Sequence, residues 1–219
     1  MDTMALTGLL RLSLEEPDAS LLVASASVVR RRLYVALRGN WASLSFEQVQ
    51  QRLAFVYQQV ERAQPGLDVR VLLPCADSDA APGAPELDAL LGAPTEEEDL
   101  STLNALRASL SLSQLAFVAL TLAPFDGSSS RARFDASGNA PPAAVYEDVC
   151  VGGTFDYMHI GHKLLLSLAA YSSARRLVVG VSDAPLLKKK VLRELMQPVE
   201  LRMALVEDFL FSIKPSLVL

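Results

Sequence analysis

The chain has 219 residues, of which 51% are hydrophobic and 21% charged, enough for one large domain or two small ones with buried cores. Its formal net charge of −5 argues against a nucleic-acid-binding surface as the main role. The five lysines all lie in residues 146–219, so an anionic ligand is expected in that part.

The first apolar stretch, Ala5–Leu14, is interrupted by Gly8 and Arg11 and is not typical of a secretory signal. No apolar run reaches the roughly 18 residues that a membrane-spanning helix needs. The basic run Arg30–Arg32 leaves peripheral membrane contact or organelle targeting open, although a strand or helix that ends in a solvated basic turn is the simpler interpretation. We therefore expect a cytoplasmic protein, with association with mitochondria left open.

Two distant cysteines do not form the disulfide framework of a secreted domain, so a reducing compartment is expected. Cys150 lies in an apolar run and is predicted to be a small buried strand residue.

The first half of the chain shows a strand, a helix and a second strand. Leu33–Leu37 is a predicted strand, and Ser45 with Gln48 matches a capping box at the start of a helix that Pro65-Gly66 ends. Asp68–Leu73 is the next strand, so a parallel βαβ unit is predicted. The apolar stripe of the helix comprises Val49, Leu53, Val56 and Val60.

Residues 76–95 are rich in Ala, Pro, Gly and Asp and are predicted to form a loop. Thr95 could cap a helix whose first turn is Glu96–Asp99, although a solvated charge run fits equally well. Leu100, Leu103 and Leu110 would give that helix its apolar face, with Leu106 between them. Residues 115–122 form a third candidate strand. Nothing in residues 1–123 carries recognisable chemistry.

A linker is predicted at residues 124–144, between an N-terminal α/β module (1–123) and a second unit (145–219). The predicted elements of the second unit are strand Glu147–Val151, a helix over 159–174, strand Leu177–Val181, helix Val199–Ile213 and the start of a strand at Ser216–Leu219. The apolar strand Leu177–Val181 is of the kind that parallel sheets bury on both faces. In the last helix, Leu201, Leu205 and Phe209 form the expected stripe, and Glu200–Arg202 is predicted to be a surface turn.

The first strand of this unit passes into its first helix through a glycine- and histidine-containing turn, Gly152–His162. In open α/β sheets, ligands bind at the carboxyl ends of the strands. A helix start offers unpaired N–H groups and a positive dipole end, and Gly152 and Gly153 allow close backbone approach. His159 and His162 are three residues apart, so both can face one bound group. The pattern predicts a polyphosphate held between two imidazoles and a helix N-terminus.

Gly-Thr-Phe-Asp at 153–156 and His-x-Gly-His at 159–162 resemble the signature of the HxGH nucleotidyltransferase superfamily. Further segments at 177–183, 186–190, 194–198 and 213–217 are similar to the phosphopantetheine adenylyltransferase part of animal bifunctional coenzyme A synthases. The resemblance implies a Rossmann-like domain with a parallel sheet, here incomplete, and transfer of adenylyl from ATP to 4′-phosphopantetheine, with Mg²⁺ accompanying ATP.

The resemblance also implies roles for individual residues. The catalytic set is His159, His162 and Lys188, with Lys189 and Lys190 as alternatives for the lysine. The binding set is Gly152, Gly153, Thr154, Phe155, Asp156 and Gly161, in which the Thr154 hydroxyl contacts phosphate. Asp156 fits a local turn former equally well. No residue is predicted to ligate a metal before substrate binds.

The family carries a second signature about a hundred residues beyond the first, and the full animal enzymes add a kinase domain. Neither that signature nor a G-x-x-x-x-G-K-[ST] loop occurs here, so a fragment or truncated isoform is expected. The N-terminal extension is expected to serve regulation or localisation. The alternatives are a cytidylyltransferase acting on a phosphorylated alcohol and a non-catalytic binding or regulatory protein. Dinucleotide binding is disfavoured because G-x-G-x-x-G is absent.

Overall fold

The computed structural model describes residues 5–74, 86–97, 99–122, 134, 141–183 and 192–219. The strands are β1 Ala5–Ser13, β2 Val29–Arg38, β3 Asp68–Leu72, β4 Ala89–Gly92, β5 Ala116–Ala119, β6 Tyr146–Gly153 and β7 Ser173–Val181. The α-helices are α1 Ala19–Val28, α2 Phe46–Ala63, α3 Asp99–Ser109, α4 Ile160–Ser172 and α5 Val199–Ile213. The predicted α/β class is confirmed.

Strands β1 to β5 form a parallel sheet in the order β3-β2-β1-β4-β5. Leu9 of β1 lies opposite Tyr34 of β2 on one side and Leu90 of β4 on the other, so β1 is the central strand. Parallel sheets bury both faces, and the central stretch of β2, Leu33–Leu37, is accordingly an unbroken apolar run. The chain order reverses at β1, as in doubly wound α/β folds.

Helices cover both faces of this sheet. On one face the stripe predicted for α2 is buried in the main core, together with Leu10, Val35 and Val71 of the sheet. On the other face Leu103 of α3 packs in a second cluster with Leu9 and Tyr34. The capping box of Ser45 and Gln48 starts α2 as predicted.

Strands β6 and β7 form a separate parallel pair, and Val218 adds a single parallel bridge to Arg176. The helices of this region pack on the first region rather than only on their own strands. The Tyr57 hydroxyl of α2 hydrogen-bonds Ser167 of α4 at 2.8 Å, and the Leu73 N–H donates to the Ile213 carbonyl of α5 at 2.9 Å. One hydrophobic core therefore runs through both regions.

The strands predicted at Leu33–Leu37, Asp68–Leu73, Glu147–Val151 and Leu177–Val181 are confirmed, as are the helices over 159–174 and Val199–Ile213. The loop predicted at 76–95 is wrong at its end, because Ala89–Gly92 is β4. Thr95 lies inside a short 3-10 helix, Pro94–Glu96, and α3 starts later. Leu106 and Leu110 are exposed, so the apolar face of α3 rests on Leu103 and the half-buried Leu100.

Five further predictions are wrong because they depend on how the segments pack, which the local sequence does not reveal. Arg30–Arg32 is not a turn but the start of β2, with Arg32 buried. Cys150 is exposed, and so is Val178, because the β6–β7 pair is narrow and not covered on both faces. In α5, Leu201 is exposed, whereas Arg202, predicted at the surface, is 1% exposed.

In the portion described, no helix has the length and apolar character to cross a membrane. Most of the predicted linker, 124–144, falls outside the described residues, and the division into domains stays a prediction.

Candidate functional site

The glycine- and histidine-containing turn connects the end of β6 at Gly153 to the start of α4 at Ile160. Within it, Phe155 (φ 50°) and Tyr157 (φ 44°) adopt the left-handed backbone region. Non-glycine residues in that region cost about 1–3 kcal/mol each and cluster at functional sites. The turn is thus a strained segment that its surroundings must hold in place.

The segment that precedes α5 supplies part of that support. The Asp156 carboxylate accepts a hydrogen bond from the Gln197 N–H at 2.9 Å, and the Gln197 side-chain oxygen accepts one from the Tyr157 N–H at 2.9 Å. The Tyr157 hydroxyl donates to the Leu195 carbonyl at 3.1 Å. Of the two interpretations of Asp156, this geometry favours the structural one, since its carboxylate holds the turn rather than projecting freely into solution.

Arg202 ties together the three segments that surround the turn. Its guanidinium donates to the carbonyls of Thr154 after β6, Ser182 after β7 and Gln197 before α5. A buried cation satisfied by backbone carbonyls fixes the relative positions of these segments. Sequence reasoning missed this residue, because the spacing of α5 does not reveal which face meets the turn.

His159 is the N-cap of α4. Its Nδ1 accepts a hydrogen bond from the Gly161 N–H at 3.2 Å. A neutral imidazole that accepts at Nδ1 carries its proton on Nε2. The His159 ring is exposed, so this Nε2–H is available as a donor to an anion at the helix start.

The two histidine rings are stacked face to face. The centroids of His159 and His162 are 3.8 Å apart with the planes 27° from parallel. The fully buried Phe155 ring packs against His162, with the two ring centroids 5.4 Å apart. The structure therefore brings together the two residues that the sequence predicted to act on one bound group.

The three site glycines differ in what a side chain would meet. A Cβ on Gly153 would lie 2.9 Å from the Phe155 ring, so glycine is required there for the ring to support His162. A Cβ on Gly161 would lie 3.1 Å from the His159 ring. A Cβ on the exposed Gly152 would meet nothing closer than a carbonyl at 3.7 Å. Packing alone does not demand glycine at Gly152, which leaves room for a ligand there.

The remaining predicted residues are placed as follows. Thr154 is half-buried at the mouth of the turn. Lys188, Lys189 and Lys190 lie outside the described residues, so the predicted phosphate-binding lysine stays a prediction. Among the residues that the structure covers, no group of three or more His, Cys, Asp or Glu side chains could hold a metal ion. The turn instead presents imidazole and backbone N–H groups, which suit an anion.

Sequence reasoning also missed Lys163, which directly follows His162. Its ammonium group points away from the turn and contacts Asp68 of β3. The signal available was its place among the apolar residues of α4, where an isolated lysine is unusual without a buried partner.

Comparison with known proteins places the similarity in this region. The profile of the cytidylyltransferase-like family matches residues 150–216. An uncharacterised protein of Schizosaccharomyces pombe is 48% identical over 67 residues, and the phosphopantetheine adenylyltransferase of Saccharomyces cerevisiae is 40% identical over 67 residues; each match covers 31% of this chain. The phosphopantetheine adenylyltransferase of Thermococcus gammatolerans is 41% identical over 58 residues, or 26% of this chain.

The matched segment spans only 21%, 22% and 36%, respectively, of the length of these three relatives. No solved structure gives a significant match. The matched residues run from within β6 to just past the end of α5. They include the whole glycine- and histidine-containing turn, Gly152–His162, which we call the histidine turn. These similarities support assignment of residues 150–216 to the nucleotidyltransferase superfamily.

Proposed function

We propose that the histidine turn binds the triphosphate of ATP and supports transfer of its adenylyl group to 4′-phosphopantetheine, giving dephospho-CoA and pyrophosphate. The observation that carries the proposal is the stacked pair of His159 and His162 at the start of α4, with the His159 Nε2–H free to donate. The relatives named phosphopantetheine adenylyltransferase support the choice of substrates.

The chemistry requires alignment more than acid–base work. A phosphate oxygen of 4′-phosphopantetheine forms a bond to the α-phosphorus of ATP, and the bond from that phosphorus to the α,β-bridging oxygen breaks. The attacking group is already an oxyanion, so no base has to remove a proton. The site must hold the reacting groups in line and stabilise negative charge around the phosphorus.

The residues of the turn are suited to those two tasks. Imidazole donors on His159 and His162 and the N–H groups at the start of α4 would bind phosphate oxygens. Gly152 would allow the backbone to approach them closely. We propose that the Thr154 hydroxyl and Lys188 complete the phosphate contacts.

We propose that Mg²⁺ enters the site bound to the triphosphate. The turn presents hydrogen-bond donors that suit anions, and the described residues contain no carboxylate cluster that could hold the ion. When bound, it would neutralise phosphate charge. The protein groups would then act on the oxygens that the ion does not occupy.

Turnover is tested by measuring pyrophosphate release from ATP in the presence of 4′-phosphopantetheine. His162→Ala is expected to lower the rate by about 100-fold, the usual effect of losing one donor to a transition-state oxyanion. The matched control is Cys150→Ser, which changes an exposed side chain of β6 and should leave the rate unchanged.

Two other results would replace the proposal. Preference for CTP with a phosphorylated alcohol would assign a cytidylyltransferase, in line with the name of the matched family. ATP binding without turnover, lost in His162→Ala, would favour a nucleotide-binding or regulatory role. Absence of any calorimetric heat with ATP would contradict a nucleotide site altogether.

A further inference from the structure

A carboxylate of the first region contacts the helix that carries the histidines. Asp68, the first residue of β3, accepts a hydrogen bond from Lys163 Nζ at 2.7 Å on its Oδ1. The same ammonium donates to the Val69 carbonyl at 3.2 Å. The side chains of Lys163 and Asp68 are 8% and 29% exposed, so the ammonium end of this link is shielded from solvent.

The other oxygen of Asp68 holds two arginines of the first sheet. Arg32 Nε lies 2.7 Å and Arg70 Nε 3.0 Å from Oδ2. Three cations thus converge on one carboxylate, which makes Asp68 the centre of the cluster. Two more carboxylates, Glu86 and Asp208, contact these arginines, so three positive and three negative side chains balance.

The same cluster reaches the helix on the other side of the turn. Arg70 donates to the Asp208 carbonyl at 2.9 Å and to the Ser212 hydroxyl at 2.7 Å, both in α5. Arg202, in the first turns of α5, holds the backbone around the histidine turn. Both helices that frame the turn are therefore anchored to the edge strand β3.

We propose that Asp68 is a positioning residue for the histidine pair, acting through Lys163, so that the N-terminal sheet is part of the construction of the site. That the positioned rings serve phosphate binding rests on the proposed function; that Asp68 sets the ring positions does not. Lys163 follows His162 directly in a rigid helix, so a shift of the lysine moves the ring with it. Misplacement by about 1 Å can cost about 100-fold in rate.

The chain offers a selective readout, because His159 and His162 are its only histidines. Their ring-proton NMR signals report the site alone, and their positions depend on the stacking of the two rings. We expect Asp68→Asn, which keeps the side-chain shape and removes the charge, to shift both signals. The matched control is Asp148→Asn, which removes an exposed carboxylate paired with Arg175 and Arg176 in the β6–β7 sheet and should shift neither.

A second variant keeps the proposal testable if Asp68→Asn fails to fold. Lys163→Gln leaves Asp68 charged and bound to its two arginines, and it breaks only the link to α4. Histidine signals at the wild-type positions in a folded Asp68→Asn or in Lys163→Gln would overturn the proposal. If the two substitutions act through one link, the double variant should shift the signals no further than Asp68→Asn alone.

Activity separates this proposal from the proposed function. If the chain turns over substrate, Asp68→Asn should lower kcat by tenfold or more with a smaller change in KM. Shifted histidine signals in a chain that binds no ATP would support positioning and contradict the nucleotide site. Unshifted histidine signals in Asp68→Asn, with a wild-type chain that turns over substrate, would support the nucleotide site and contradict positioning by Asp68.

Discussion

The two sheets of this protein bury similar apolar sequences to very different extents. In the first region, Leu33 and Val35 of β2 are 0% exposed, between strands on both sides and helices on both faces. In the second region, Val178 of β7 is 46% exposed and the neighbouring Cys150 of β6 is exposed as well. The first region therefore carries the larger share of the stability, and the second carries the candidate site.

The difference also shows how the second region is held. Its buried side chains, such as Leu166, Phe209 and Ile213, belong to the same hydrophobic core as Val56 and Val69 of the first region. Its strained turn lies at the end of a narrow sheet and depends on helices anchored elsewhere. A site of this kind gains its precision from the neighbouring region.

The largest effect is expected from a core truncation in the first region. Leu33→Ala removes a fully buried side chain and should lower the free energy of unfolding by about 3 kcal/mol. Leu201→Ala makes the same change at a position in α5 that is 43% exposed and should cost at most about 0.5 kcal/mol. Denaturant titration measures both. Equal costs would contradict the unequal burial of these two positions.

A smaller effect is expected from acid at the junction of the two regions. Burial disfavours the charge of Asp68, but Lys163 and Arg70 outweigh it and lower its pKa to about 2, against about 3.9 in an unfolded chain. The stabilisation is complete above about pH 4 and is lost as the pH falls to about 2. It should amount to about 2 kcal/mol.

The measurement compares the free energy of unfolding of the wild-type chain and Asp68→Asn from pH 6 to pH 2. Because the variant lacks the titrating group, the gap between the two proteins should be widest at pH 6 and close toward pH 2. A gap that is independent of pH would show that the charge of Asp68 does not stabilise the junction.

The smallest effect is expected from a pair of glycine substitutions inside the site. Gly153→Ala forces the Phe155 ring away from His162 and should lower ATP affinity about tenfold, or about 1.4 kcal/mol. It should also shift the His162 ring signals. Gly152→Ala meets only an ordinary contact at 3.7 Å, so the ring signals should stay in place. Equal shifts in both variants would contradict the support of His162 by Phe155.

Local patterns predicted the features that depend on neighbouring residues. The capping box of Ser45 and Gln48 is confirmed, as is the strand-to-helix corner that holds His159 and His162. The two rings are stacked, a proximity that their three-residue spacing allows. Such features are encoded within a few residues, so the sequence reveals them directly.

Features that depend on distant partners were not predictable in the same way. Arg32, Lys163 and Arg202 are buried cations, and each has a partner that is distant in sequence: Asp208 is 176 residues from Arg32, Asp68 is 95 from Lys163 and Thr154 is 48 from Arg202. The sequence of Ala5–Leu14 does not identify β1 as the central strand, since that role depends on pairing with both β2 and β4. The apolar run around Cys150 predicts a buried residue, but it does not reveal that the sheet has only two described strands, and Cys150 is exposed.

The central claim is that the two imidazoles hold the phosphates of a nucleoside triphosphate, and ligand titration of the histidine NMR signals tests it most directly. The account predicts that ATP shifts the ring signals of both His159 and His162, that pyrophosphate competes with it, and that adenosine at the same concentration shifts neither. Ring signals that stay in place with millimolar ATP, or that move equally with adenosine, would contradict it.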